Sequence, residues 1–95
     1  MHATIRQYEG IASPSELIKE VDATFLPRMK SIPGYVDYYF VDVGDAGGRM
    51  VSVSVFETEA ATAESNQRAA DWVRDHPGLI PPATSVEVGG VVVGG

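Results

Sequence analysis

Ninety-five residues, 44% hydrophobic and 21% charged, suffice for one small domain spanning 1–95 with its own core. A net charge of −6 without an Arg-rich segment argues against nucleic acid or an anionic membrane surface as partner, and the absence of cysteine excludes disulfides and thiolate metal sites and fits a reducing compartment. The first ten residues hold no apolar run that reads as a signal peptide and no stretch is long enough to span a bilayer, so a cytoplasmic location is expected.

His2 to Glu9 reads as a short strand, with Ala3 and Ile5 alternating against Thr4 and Arg6. Ser13-Pro14-Ser15-Glu16 carries the signature of a capping box with Pro at the first helical position. The helix behind it presents Leu17, Ile18, Val21, Phe25 and Met29 as one stripe. Pro27 lacks an N–H and crowds the carbonyl of Ala23, which predicts a kink or a loosened last turn. Pro33-Gly34 ends the helix and opens a hairpin. Its arms are Gly34 to Val43 and Met50 to Phe56, rich in Tyr, Phe and Val, and Gly44-Asp45-Ala46-Gly47-Gly48 supplies the turn. Val36, Tyr38 and Phe40 oppose Tyr35, Tyr39, Val41 and Val43; Val51, Val53 and Val55 oppose Met50, Ser52, Ser54 and Phe56. Neither face is strongly polar, so both are expected to be covered.

Thr58 is placed to cap a second helix that runs to about Asp75, with Ala61, Ser65, Ala69, Trp72, Val73 and His76 on its apolar stripe. The small residues predict close approach to a sheet, with Trp72 as the large anchor. Pro77-Gly78 stops the helix, and Leu79-Ile80-Pro81-Pro82 is a rigid connection. Thr84 to Val93 is a final strand with a bulge or bend expected at Gly89-Gly90, and the last two glycines are expected to fray.

The order strand, helix, strand, strand, helix, strand is the βαββαβ pattern of a ferredoxin-like α+β fold: a four-stranded antiparallel sheet with two helices on one face. Two helices cover one face only. Shielding a few hundred Å² of apolar surface on the other, at roughly 25 cal/mol/Å², contributes several kcal/mol before association costs. A homodimer through that sheet face, closing as a dimeric α/β barrel, is therefore expected.

Ile32-Pro33-Gly34-Tyr35 after a helix containing Leu26-Pro27, and Val51 to Thr58 followed by an Ala-rich helix with Ala70-Asp71-Trp72, resemble the dimeric α/β-barrel superfamily, in particular its antibiotic biosynthesis monooxygenase-like (ABM-like) domains. The resemblance covers nearly the whole chain. It implies a small apolar or aromatic molecule bound between sheet and helices, and a cofactor-independent monooxygenase acting on a phenolic compound. The alternative is a non-catalytic dimerisation or ligand-binding module.

The resemblance carries Asn66 and Trp72 over as catalytic residues, although six residues turn them about 120° apart on a helix. His76, one turn after Trp72, joins them, and Tyr38, Tyr39 and Arg6 are the substrate-binding candidates. Tyr8 and Tyr35 join Tyr38 and Tyr39 as possible polar tips in an apolar pocket, and a purely structural alternative stands beside all of these but Arg6: Trp72 as core anchor, Asn66 at the rim, His76 favouring the helix C-terminus when charged, the tyrosines in core or interface. The haem-degrading branch of the family calls for an Asn on the first strand, where this chain offers Arg6 and Gln7, so no haem and no other cofactor is expected. The two histidines and scattered carboxylates show no metal-ligand spacing, and Asp42 and Asp45 read as solvated turn residues.

Overall fold

The computed structural model describes residues 1–44 and 47–94. Its elements are β1 (His2–Tyr8), α1 (Pro14–Glu20), a π-helical turn (Val21–Phe25), α2 (Leu26–Lys30), β2 (Tyr35–Asp42), β3 (Met50–Phe56), α3 (Glu59–Asp75) and β4 (Ser85–Gly90). The four strands form one antiparallel sheet in the order β2-β3-β1-β4. This is the expected ferredoxin-like α+β fold, with the α1–π–α2 run and α3 on one face.

The side chains of β3 show which face that is. Met50, Ser52, Ser54 and Phe56 are buried, whereas Val51, Val53 and Val55 are partly exposed. The more polar set of this strand thus faces the helices and the all-valine set faces away. Serines beneath α3 keep the contact thin, and Thr62, Ser65 and Ala69 answer them from the helix, all buried. Larger side chains fill the remainder: Leu17, Val21, Phe25 and Met29 from the first helical run, Trp72 from α3, Tyr8, Met50 and Phe56 from the sheet. Phe25 sits between Tyr38 and Trp72, with ring centroids 5.5 Å and 5.4 Å away.

Local chemistry departs from expectation at several points. Ser13 makes no side-chain cap: its ψ of 85° falls short of the extended values that aim Oγ at the helix amides, and only its carbonyl accepts, from the Leu17 N–H at 3.1 Å. Thr58, at ψ 158°, does cap, its Oγ1 accepting from the Ala61 N–H at 3.1 Å. The loosening expected of Pro27 lies one turn ahead of it, where the Leu26 N–H donates to Val21 O, five residues back. Ile18 leaves the apolar stripe and is exposed.

The expected bulge at Gly89-Gly90 is absent, since Ala3↔Gly89 and His2↔Gly90 continue the β1–β4 register without a break, and the strand stops at Gly90 rather than Val93. A bulge lies instead in β2, between Tyr35 and Asp37. Gly34, at φ +92°, accepts from the Glu57 N–H at 2.8 Å and pins the strand entry. The extra residue moves Tyr35 from the Tyr39 face to the helix side, where its ring meets Phe56 at 5.8 Å. Of the hairpin turn, Asp45 and Ala46 lie outside the described residues, as does Gly95 of the terminal glycine pair.

Candidate functional site

The sequence candidates fall into three groups. Arg6 and Asn66 form the first. Arg6 points from β1 to the helix side, and its Nη2 donates to Asn66 Oδ1 at 3.1 Å and to Asn66 O at 3.3 Å. This joins sheet to α3. Among the described residues no carboxylate pairs with Arg6 and none takes up the rest of its five-donor fork.

Trp72, His76 and Tyr38 form the second group, inside the helix–sheet layer. Trp72 is 2% exposed, its Nε1 donates to Thr24 Oγ1 at 3.0 Å, and the His76 ring stacks on it at 4.0 Å. His76 Nδ1 lies 2.6 Å from Trp72 O, so it is the nitrogen that carries hydrogen; Nε2 stands 3.6 Å from Glu20 Oε1. Thr24 Oγ1 in turn donates to Glu20 O at 3.0 Å. Burial pushes the Tyr38 phenol well above its usual value, with Tyr8 adding to the rise and Arg6 and a hydrogen bond with Ser52 opposing it. The space enclosed by Arg6, Phe25, Tyr38, Ser52 and Trp72 is about 10 Å³, no more than one water occupies. The third group is Tyr39 alone, 56% exposed on the opposite face of the sheet.

Beside the filled interior lies a cleft of about 630 Å³. Arg6, Tyr8 and Val86 form its floor, the second half of α3 with Ala69, Val73 and Arg74 one wall, and the connection from Pro77 to Ala83 the other. That connection is tied at both ends. Leu79 and Ile80 N–H groups donate to His76 O, with Gly78 at φ +84°, and the Thr84 N–H donates to Gln7 O at 2.8 Å. Burial raises the Tyr8 phenol, and Arg6 draws it back. Tyr8 is therefore a hydrogen-bond donor near neutral pH. Arg74 is mostly solvated and shared with Asp71 and Asp75. Against this cationic, largely apolar surface the geometry can place a planar apolar molecule with an acidic oxygen toward Arg6.

Tyr8, one of the tyrosines the sequence offers as a polar tip, lines this cleft, whereas Val73, Ile80 and Val86 belong to it and are not among the sequence candidates. The rigid Leu79-Ile80-Pro81-Pro82 connection was the available signal, but nothing in it shows that it folds back over β1 and β4. Among the described residues no group of three or more His, Asp or Glu side chains could hold a metal ion, and no helix is long and apolar enough to cross a membrane.

No protein-family model and no curated protein matches the sequence. Solved structures do match over nearly the full length. A Nitrosomonas europaea protein described as an antibiotic biosynthesis monooxygenase superposes with a TM-score of 0.74 at 17% identity, covering 98% of this chain and 100% of that one. The monooxygenase ActVA-Orf6 of Streptomyces coelicolor, solved with nanaomycin D, gives a TM-score of 0.69 at 17% identity over 99% and 92%. A mutant of MhuD with two manganese protoporphyrin IX bound per active site gives 0.70 at 20% identity over 100% of both chains. The chain has the fold of the antibiotic biosynthesis monooxygenase-like domains.

Proposed function

We propose that the protein binds a small apolar or aromatic molecule bearing an acidic oxygen, held in the cleft between α3, β1, β4 and the Pro77–Ala83 connection, with Arg6 as its principal polar contact. The observation that carries this reading is a 630 Å³ cleft with a part-buried guanidinium on its floor and no carboxylate on that guanidinium among the described residues. Asn66 is the positioning residue: its two oxygen contacts fix the plane of Arg6. Tyr8 offers a second donor at the same floor, and Trp72, with His76 and Tyr38 behind it, is the rigid backing of the wall.

The chemistry that fits is cofactor-independent oxygenation of a phenol. Arg6 favours the phenolate, which is the electron-rich form that reacts with dioxygen. One oxygen atom replaces the ring C–H as a carbonyl, the phenolic oxygen becomes the second carbonyl, and the other oxygen atom leaves as water, so no outside reductant is required. The fold is shared with the ActVA-Orf6 monooxygenase, which supports this class. Two copies pack their sheets face to face, because Ile5, Val53 and Tyr39 line up across three strands on the face away from the helices.

A second reading is a ligand-binding or dimerisation module without catalysis. The filled interior beside Trp72 favours it. Oxygen uptake and calorimetry with a naphthol, in buffer without added flavin, haem or metal, separate the two. The oxygenase reading expects saturable binding and one O2 consumed per naphthoquinone formed, without hydrogen peroxide. Arg6→Met removes a charge-assisted contact of about 1.5–3 kcal/mol and weakens binding roughly ten- to a hundredfold. Binding without oxygen uptake supports the module; no binding at all overturns the cleft assignment.

A further inference from the structure

From Asn66 back to Glu59 along α3, and two residues on along β4, a second cavity of about 310 Å³ is lined by His2, Glu59, Thr62, Ala63, Asn66 and Val88. Arg6 lines the first cavity and Asn66 the second, so their hydrogen bond is the divide between them. Both cavities share a floor strand: Val86 and Val88 are successive helix-side residues of β4, each about half exposed, opposite Arg6 and Thr4 respectively. The two differ in character. Arg6 and Arg74 border the larger one, whose other walls are mostly apolar. Glu59 borders the smaller one, with His2, Thr62 and Asn66 as further polar groups, and its carboxylate has no ion pair among the described residues.

We propose that the two cavities form one trough for a bipartite ligand: a ring system in the larger cavity, an acidic oxygen at Arg6, and an arm ending in a primary amine that reaches Glu59 in the smaller cavity. This rests on the reading of the larger cleft given above. The ligand lies across the divide at Arg6: Asn66 uses a single guanidinium nitrogen, which among the described residues leaves the other N–H groups of Arg6 for a ligand oxygen there. Opposite charges at the two ends fix the direction in which the ligand lies.

The test compares a naphthol carboxamide with its N-aminoethyl derivative by calorimetry at neutral pH and low salt. One charge-assisted hydrogen bond to Glu59 makes the armed probe bind about tenfold tighter, and a propyl arm of the same length gives no such gain. The ratio of the two dissociation constants falls to about one in Glu59→Gln, which loses the charge, and in Ala63→Leu, which fills the smaller cavity from an exposed helix position. Circular dichroism identifies a variant that fails to fold, and the other then decides. If the unarmed probe binds and the arm adds nothing, or if the gain survives either folded variant, the bipartite trough is wrong and the larger cleft stands. If neither probe binds, the reading of the larger cleft falls and this inference with it.

Discussion

Trp72 illustrates how one side chain meets two demands. Its indole is sandwiched between Phe25 and His76 and its N–H is tied to Thr24, so removing it opens a hole at the junction of α3 and the π turn. Trp72→Ala is expected to cost about 3–5 kcal/mol in urea unfolding, a large share of what holds a domain of this size together. Loss of binding in that variant would say nothing about the site. Trp72→Phe keeps the ring contacts and gives up the hydrogen bond, for roughly 1–2 kcal/mol, and is the variant in which ligand affinity is informative. Tyr38 makes a related case through pH. Its folded phenol titrates above the unfolded value of about 10, so the stability it contributes is fully present below that pH and is lost as pH rises through the folded value. Urea midpoints measured across that range should fall less steeply with pH in Tyr38→Phe than in the native chain.

At the level of elements, two helix starts that look alike in sequence separate in structure. Ser13-Pro14-Ser15-Glu16 matches the capping-box pattern, yet Ser13 Oγ caps nothing; Thr58 carries a plainer signal and caps α3. Thr58→Ala is expected to lower stability by about 1 kcal/mol and Ser13→Ala by a few tenths at most, as read from thermal or urea unfolding. The strands and helices themselves are legible because their periods are set by local geometry: the alternation of Met50–Phe56 ends at the observed bounds of β3, and α3 follows from Thr58 and Pro77. The bulge between Tyr35 and Asp37 and the π turn at Val21–Phe25 were not legible. Each is an insertion of one residue into a regular ladder, and its position is decided by what lies across it — Phe56 under Tyr35, and Thr24 meeting Trp72 — rather than by the residues inserted. Both rearrangements turn aromatic or polar groups toward the helix–sheet layer, and so they shape the wall behind the candidate site. The same dependence on distant partners hid the site. Arg6 and Asn66 were candidates, but 60 residues separate them in sequence, and only the fold puts their side chains in contact. Val86 is invisible as a site residue because it reads as an ordinary strand position until the Pro77–Ala83 connection is laid beside it.

For the whole molecule, the sheet face turned from the helices is the least settled surface in energy. Ile5, Tyr39, Val41 and Val43 are each more than a third exposed there, and Val51, Val53 and Val55 are partly exposed, with polar Gln7, Asp37 and Glu87 on the same face. A monomer would leave that patch in water. The expectation of two apolar faces came from the alternation of β2 and β3, but which set pointed inward could not be read from it: the valines of β3 look like core, and Ser52 and Ser54 look like surface, the reverse of what is found. The inversion has a physical reason. α3 approaches closely through Thr62, Ser65 and Ala69, which leaves room for serines, while a broad flat valine face suits a second sheet. Val53 lies at the centre of that face, paired with Ile5 on one side and Tyr39 on the other. Val53→Asp puts a carboxylate where two sheets would meet and, if two copies close there, must either be desolvated or hold them apart. Light scattering at micromolar concentration is expected to give the mass of two chains for the native protein and of one for Val53→Asp, with unchanged far-ultraviolet circular dichroism, because the position is partly open to solvent within a single chain. A single-chain mass for the native protein would leave the face bare and remove the barrel from the account, while the cleft beside Arg6, on the other side of the sheet and built from one chain, would keep its own test.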